Sequence, residues 1–184
     1  MKGQSGSQDV VQQTQQWLES AVIGLNLCPF AKQPYRQDRV RISVSEASDT
    51  EQLLKDLADE LALLRGADPA QTETTLLVHP QVLTDFLDYN DFLDATDALL
   101  EALELEGEIQ VASFHPHYQF ADTEVDDITN FSNRAPFPTL HLLREASIEQ
   151  AVASVPDTDA IFERNMATLR ELGSEGWRKL FGEK

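Results

Sequence analysis

Three short runs of strand character, separated by two stretches of helical periodicity, constrain this chain more than any other feature. Val40, Ile42 and Val44 alternate with Arg41, Ser43 and Ser45, Thr74 to Val78 is a compact apolar run, and Ile109 to Phe114 alternates again. Between the first two runs, Leu53, Leu54, Leu57, Leu61 and Leu64 recur at helical spacing. They follow a capping sequence, Ser48-Asp49-Thr50-Glu51, and stop at Gly66. Between the second and third runs, residues 81–104 read as a helix with Val82, Phe86, Tyr89, Leu93, Leu100 and Leu103 on one side. Its aspartates lie towards the other side, and a break is expected near Tyr89-Asn90, where poor helix formers gather. Consecutive strand–helix–strand units favour right-handed crossovers and parallel strands. With a fourth strand at 139–143, of either direction, the expectation is an α/β layered domain. Its sheet is mixed, mostly parallel, of about four strands and packed by helices; a ferredoxin-like α+β arrangement is the alternative.

Helical segments flank this core. Val10, Val11, Thr14, Trp17, Leu18, Ala21, Val22 and Leu25 define a first amphipathic helix beyond a leader, 1–8, expected to be flexible. Ser147 is placed to cap a short helix through Val155, and Pro156-Asp157 to open a last one. That helix carries Ile161, Phe162, Met166, Leu169 and Leu172 and ends at Gly173, after which Trp177, Leu180 and Phe181 dock a final turn. Residues 9–184 are thus read as a single domain, as the length suggests.

Charge narrows the partners. With 14 basic against 32 acidic residues the net charge is -18, a surface that repels phosphate backbones, so nucleic acid is not expected. Lys32, Arg36, Arg39 and Arg41 form one basic island, and with Arg134 and Arg144 they could steady a small anionic ligand. A single cysteine, Cys28, suits a reducing compartment. The N-terminal MKGQSGSQDVVQQTQQ has neither the apolar core of a secretory signal nor the composition of a transit peptide, and no apolar run is long enough to span a bilayer. A cytoplasmic protein without membrane attachment is expected. The apolar side of the third helix could also serve a homo-oligomer.

Histidines mark the candidate site. If the second and third strands are parallel, their carboxyl ends share one edge of the sheet, where clefts of open α/β sheets form. His79 follows the second strand and His115 the third; His117 stands just beyond Pro116, and His141 lies inside the fourth. Four readings stay open. His115 and His117, with His79, His141 or a carboxylate such as Asp122, could bind zinc, iron or manganese and activate water. Cys28 could be a nucleophile with a histidine base and an acid or Asn133 as orienter, although a helix C-terminus raises a thiol pKa rather than lowering it. The imidazoles could work as acid and base without metal. Or they could cap strand ends by bonding to loop backbone. The segment 116–138 lacks periodicity, and its aromatics Tyr118, Phe120, Phe131 and Phe137 argue against disorder, so a functional loop is expected. No glycine loop of a nucleotide-binding type is present.

Three motifs, Asn26-Leu27-Cys28-Pro29-Phe30-Ala31, His115-Pro116-His117-Tyr118-Gln119-Phe120 and Asn133-Arg134-Ala135-Pro136-Phe137-Pro138, carry a resemblance across nearly the whole chain after the leader. In them the chain resembles an uncharacterised bacterial family, a domain of unknown function. The resemblance implies a bacterial cytoplasmic protein and assigns no catalytic residue, so function rests on the site. The expectation from the residues is a metal-assisted or acid–base hydrolase or transferase for a small anionic substrate. His115, His117, Asp122 and Cys28 are its candidate reactive groups and Arg134 its anion contact. A non-catalytic module that uses loop 116–138 to hold a partner protein or small ligand is the competing expectation.

Overall fold

The structure, a computed structural model, describes residues 2–154 and 159–182. Four strands, β1 (Val40–Val44), β2 (Thr74–Val78), β3 (Ile109–Phe114) and β4 (Thr139–Arg144), form one sheet in the order β1-β2-β4-β3. β1 and β2 pair in parallel, and β4 runs antiparallel to both β2 and β3. β1, β2 and β3 therefore point the same way, as the strand–helix–strand units require, but β4 inserts between β2 and β3. Only one pairing is parallel, so the sheet is mixed rather than mostly parallel. The βαβαββ order of the sheet and its connecting helices differs from the βαββαβ order of a ferredoxin-like fold.

The period-two alternation of the strands divides the core between two faces. On one face Leu77, Leu140, Leu142 and Ile109 pack against Leu53, Leu57, Leu61 and Leu64 of α3 (Thr50–Gly66) and Tyr89, Phe92 and Leu100 of α4 (Phe86–Ala102). On the other, Leu76 and Val78 pack with Val40, Ile42, Val44 and Phe114 under Val10, Trp17, Leu18, Ala21 and Val22. The latter set belongs to α1 (Lys2–Trp17) and its π-helical continuation, Leu18–Ile23. β2 is buried along its whole length because it is central and covered on both faces. The apolar side of α4 is consumed by this core, leaving Leu87 as its prominent exposed hydrophobe.

Several local expectations change. The helix of α1 takes in residues 2–8, assigned to a leader by sequence. A short α2 (Lys32–Arg36) occupies the basic island, where Arg39 pairs with Glu73 and Arg41 with Glu60, so two of its cations are already neutralised. The cap of α3 is Asp49, whose carboxylate accepts from Gln52 N–H at 2.8 Å, one residue beyond the expected Ser48. α4 starts at Phe86, capped by Asp85, and passes unbroken through Tyr89-Asn90. α5 (Glu145–Ala153) begins at the end of β4, leaving Ser147 inside the helix rather than capping it. The expected opening at Pro156-Asp157 lies outside the described residues. α6 (Asp159–Leu180) is interrupted by Gly173, with φ 65°, a conformation that suits glycine. The segment expected as a final turn thus continues as a second helical piece.

The position of the α3 cap gives a direct check. Asp49→Ala should lower stability by about 1 kcal/mol in urea unfolding, whereas Ser48→Ala should change it by only a few tenths. Equal losses would mean that Asp49 is not the cap.

Candidate functional site

The carboxyl ends of β2 and β3 meet over one aromatic side chain, Tyr89 of α4, which is fully buried. Its hydroxyl accepts from Phe114 N–H at 3.2 Å and donates to the Thr139 carbonyl at 2.8 Å. Phe114 and Thr139 are partners across the β3–β4 ladder, so the phenol bridges its last rung. Burial pushes that phenol well above its ordinary pKa and keeps it neutral. The His79 ring stacks on Tyr89 with centroids 5.8 Å apart, and His115 lies tilted against it at 5.0 Å.

Both imidazoles are fully buried and turned to the same connection. His79 Nδ1 donates to the Val82 carbonyl at 3.0 Å, and His115 Nε2 donates to the next carbonyl, that of Leu83, at 3.1 Å. His115 Nδ1 accepts from His117 N–H at 3.0 Å, which fixes its tautomer and leaves neither nitrogen for a metal. Leu83 has a φ of 58°, unusual for a branched side chain, and the two imidazoles hold the turn that contains it. Burial lowers His79 to about 4, helped by the nearness of His115. Burial lowers His115 as well, with a smaller push from His117. These two rings are neutral hydrogen-bond donors at pH 7.

The other candidates do not join them. The His117 ring is exposed, 5.9 Å from that of His115. His141 faces the α1 side, because it is paired with Leu76 in the β2–β4 register. The Thr74 hydroxyl gives its proton to the Leu142 carbonyl, so His141 Nε2 is the donor in their 2.8 Å contact. Asp122 is exposed with a φ of 62°. Cys28 is half-buried against the α1-side core, and burial raises its thiol pKa against weaker help from the Phe30 and Ala31 amides. That direction is opposite to the one that activates a thiol. Among the described residues, no three His, Cys, Asp or Glu side chains are placed to hold a metal ion.

The long loop is ordered by its own polar side chains. Asn130, fully buried, accepts from Phe120 N–H and the Thr123 hydroxyl and donates to the Glu124 carbonyl, each at 2.9 Å. Asp127 caps a 3₁₀ turn, Ile128–Asn133, and Asn133 donates to the Ser113 carbonyl. Arg134 ties both arms together, donating from Nε to the Tyr118 carbonyl and from Nη2 to that of Val125, with its guanidinium 4.4 Å from the Phe131 ring centre. Arg144 lies elsewhere, where its Nη2 donates to the carbonyls of Leu64, Ala67 and Thr72.

On the α1 side this loop walls a cleft of about 480 Å³, within the range of small-molecule sites. Trp17 of α1, Phe131 and Arg134 of the loop, and Trp177 and Phe181 at the far end of α6 line it, and no histidine does. Phe131 meets Trp177 edge-on at 5.1 Å, and Trp177 contacts Phe181 at 5.6 Å. A second groove, between α3 and α4, has Leu54, Leu83 and Phe92 beneath Glu51, Asp88 and Asp91, a rim that repels anions. The sequence pointed to Arg134 and the loop aromatics but gave no signal for Tyr89, Asn130 or the tryptophans as parts of one site.

A mixed α/β sheet with an aromatic cleft beside its β3–β4 connection is the class of domain defined here. The chain belongs to the family described as Protein of unknown function (DUF1415), whose model matches residues 9–179. No curated protein and no solved structure matches the chain. Among the described residues, no helix is long and apolar enough to cross a membrane.

Two measurements check the histidine arrangement. Tyr89→Phe should cost about 2 kcal/mol in urea unfolding, because a buried amide and carbonyl lose their shared partner; a neutral change would break the bridging role. An unfolded imidazole titrates near 6.5, whereas folded His79 titrates at about 4. The unfolded chain therefore binds more protons between these values. The His79 contribution to stability is full above 6.5 and is lost as pH falls towards 4. In a histidine NMR titration from pH 8 to 5, the His79 ring should stay neutral throughout; a midpoint near 6.5 would contradict its burial.

Proposed function

We propose that the protein is a binding module for a small anionic molecule, held in the cleft that loop 116–138 forms with α1 and α6. The observation that carries this reading is Arg134, an arginine held by two neutral carbonyls on the wall of an aromatic-lined cleft. A guanidinium fixed in this way is preorganised to receive an anion and loses little side-chain freedom on binding. The metal-assisted and acid–base readings have less support. His115 uses both ring nitrogens on backbone groups, and His79 and His141 donate to a carbonyl and a hydroxyl. A partner protein is a weaker fit than a small ligand, because the loop aromatics are largely used within the fold: Tyr118 packs on Phe86 and Phe120, Phe137 joins the α1-side cluster, and Phe131 lines the cleft. We also propose a cytoplasmic setting and a reduced Cys28.

The chain's two tryptophans both line this cleft, so their emission reports its occupancy. Titration with the aromatic sulfonate 1-anilinonaphthalene-8-sulfonate should quench tryptophan emission saturably by energy transfer, at one site per chain. Phe181→Ala should weaken that binding about tenfold through loss of one aromatic contact. Absence of saturable quenching, or the same affinity in the variant, would refute the cleft as the ligand site.

A further inference from the structure

The cleft presents a cation on an acidic molecule. The chain carries 32 acidic residues, yet among the described residues Arg134 is the one charged side chain that lines the cleft. Arg39, Arg41 and Arg65 each face a carboxylate, at 2.9, 2.8 and 3.1 Å. Arg134 instead donates from Nε and Nη2 to uncharged carbonyls, and its Nη1 has no partner among the described residues. Its positive charge is thus held in place and left unneutralised. Around it the surface is aromatic: the guanidinium lies over Phe131, which meets Trp177 edge-on, and Trp177 in turn is tilted against Phe181. The exposed residues Gln13 and Gln16 of α1 also line the cleft and add no charge.

Resting on the reading of this cleft as the ligand site, we infer that its occupant is a flat aromatic monocarboxylate. The ring lies against the Phe131–Trp177–Phe181 surface, and the carboxylate receives hydrogen bonds from Arg134 Nη1. The single negative charge follows from the lining. One cation balances one anion, whereas a phosphate ester dianion would leave a charge uncompensated in the field of a chain with net charge -18. The flat ring follows from the walls, since offset and edge-on contacts between aromatic rings exceed what their area alone provides. Aliphatic acids of similar size would bury the same surface without that contact.

The test uses benzoate, benzamide, cyclohexanecarboxylate and phenyl phosphate as probes, with the two tryptophan indole N–H signals of the full chain followed by NMR. Benzoate should move both signals saturably and bind at least about tenfold tighter than its neutral isostere benzamide, the difference a charge-assisted hydrogen bond makes. Cyclohexanecarboxylate and phenyl phosphate should both bind more weakly than benzoate. Because Arg134 also ties the loop, the variant chosen is Gln16→Glu, at an exposed position that puts a carboxylate on the same cleft. It should bring benzoate and benzamide to within about twofold of each other without changing the circular dichroism spectrum. Equal binding of benzoate and benzamide to the parent would overturn the ligand class while leaving a binding cleft. A preference that survives Gln16→Glu would place the carboxylate elsewhere and overturn the assignment. If no probe moves the indole signals at millimolar concentration, both this inference and the reading beneath it fail.

Discussion

The hydroxyl of Tyr89 is the contact on which the site end of the molecule depends. It joins α4 to the final rung of the β3–β4 ladder and gives two imidazoles a common surface to pack on. A phenol can do this where a phenylalanine cannot, because it accepts from one backbone group and donates to another while burying an aromatic ring. His79 and His115 then reach past it to consecutive carbonyls and set the turn from which α4 departs. The chain has used its most chemically versatile side chains here to satisfy backbone groups that burial would otherwise leave unpaired.

This accounts for what the sequence could and could not disclose. Strand alternation is a local signal, and β1, β2 and β3 fall where Val40, Thr74 and Ile109 announce them. The shared edge for His79 and His115 also follows, since β2 and β3 do run the same way. The insertion of β4 between them is a long-range choice with no local mark. So is the late start of α4, where apolar spacing beginning at Val82 suggests helix but the two imidazoles hold residues 80–85 as a turn. Histidines beside a strand end look alike in sequence whether they face a ligand or a carbonyl. Only the fold shows which nitrogen is occupied. The cleft was hidden for a simpler reason: Trp17 and Trp177 are far apart in the chain, and the first reads as one more apolar residue of an amphipathic helix, the second as an anchor of a docked final turn.

Electrostatics tells the same story from the surface. An acidic chain has ample carboxylates to pair its arginines, and it does so for Arg39, Arg41 and Arg65. Arg144 is spent on three carbonyls around the end of α3, a structural clasp between the sheet and the α3–β2 connection. Against that background Arg134 differs in its surroundings rather than in its residue type. Residue type and charge count are legible in sequence; whether a cation is neutralised is not.

The break at Gly173 gives the cleft a particular dependence on folding. The first part of α6 is anchored by Met166 and Leu169 against Leu27, with Asn165 bonded to the Leu27 carbonyl. The part beyond the break carries Trp177 and Phe181 to the cleft. The α3–α4 side of the core does not include that second piece, which packs with the α1-side cluster and against Leu27, Met166 and Leu169. Opening it is therefore a local event, cheaper than unfolding the sheet, and a cleft occupant would be coupled to that local equilibrium rather than to global stability. A bound molecule would slow amide exchange most in the last turns of α6, and leave the protection of β2 nearly as it was.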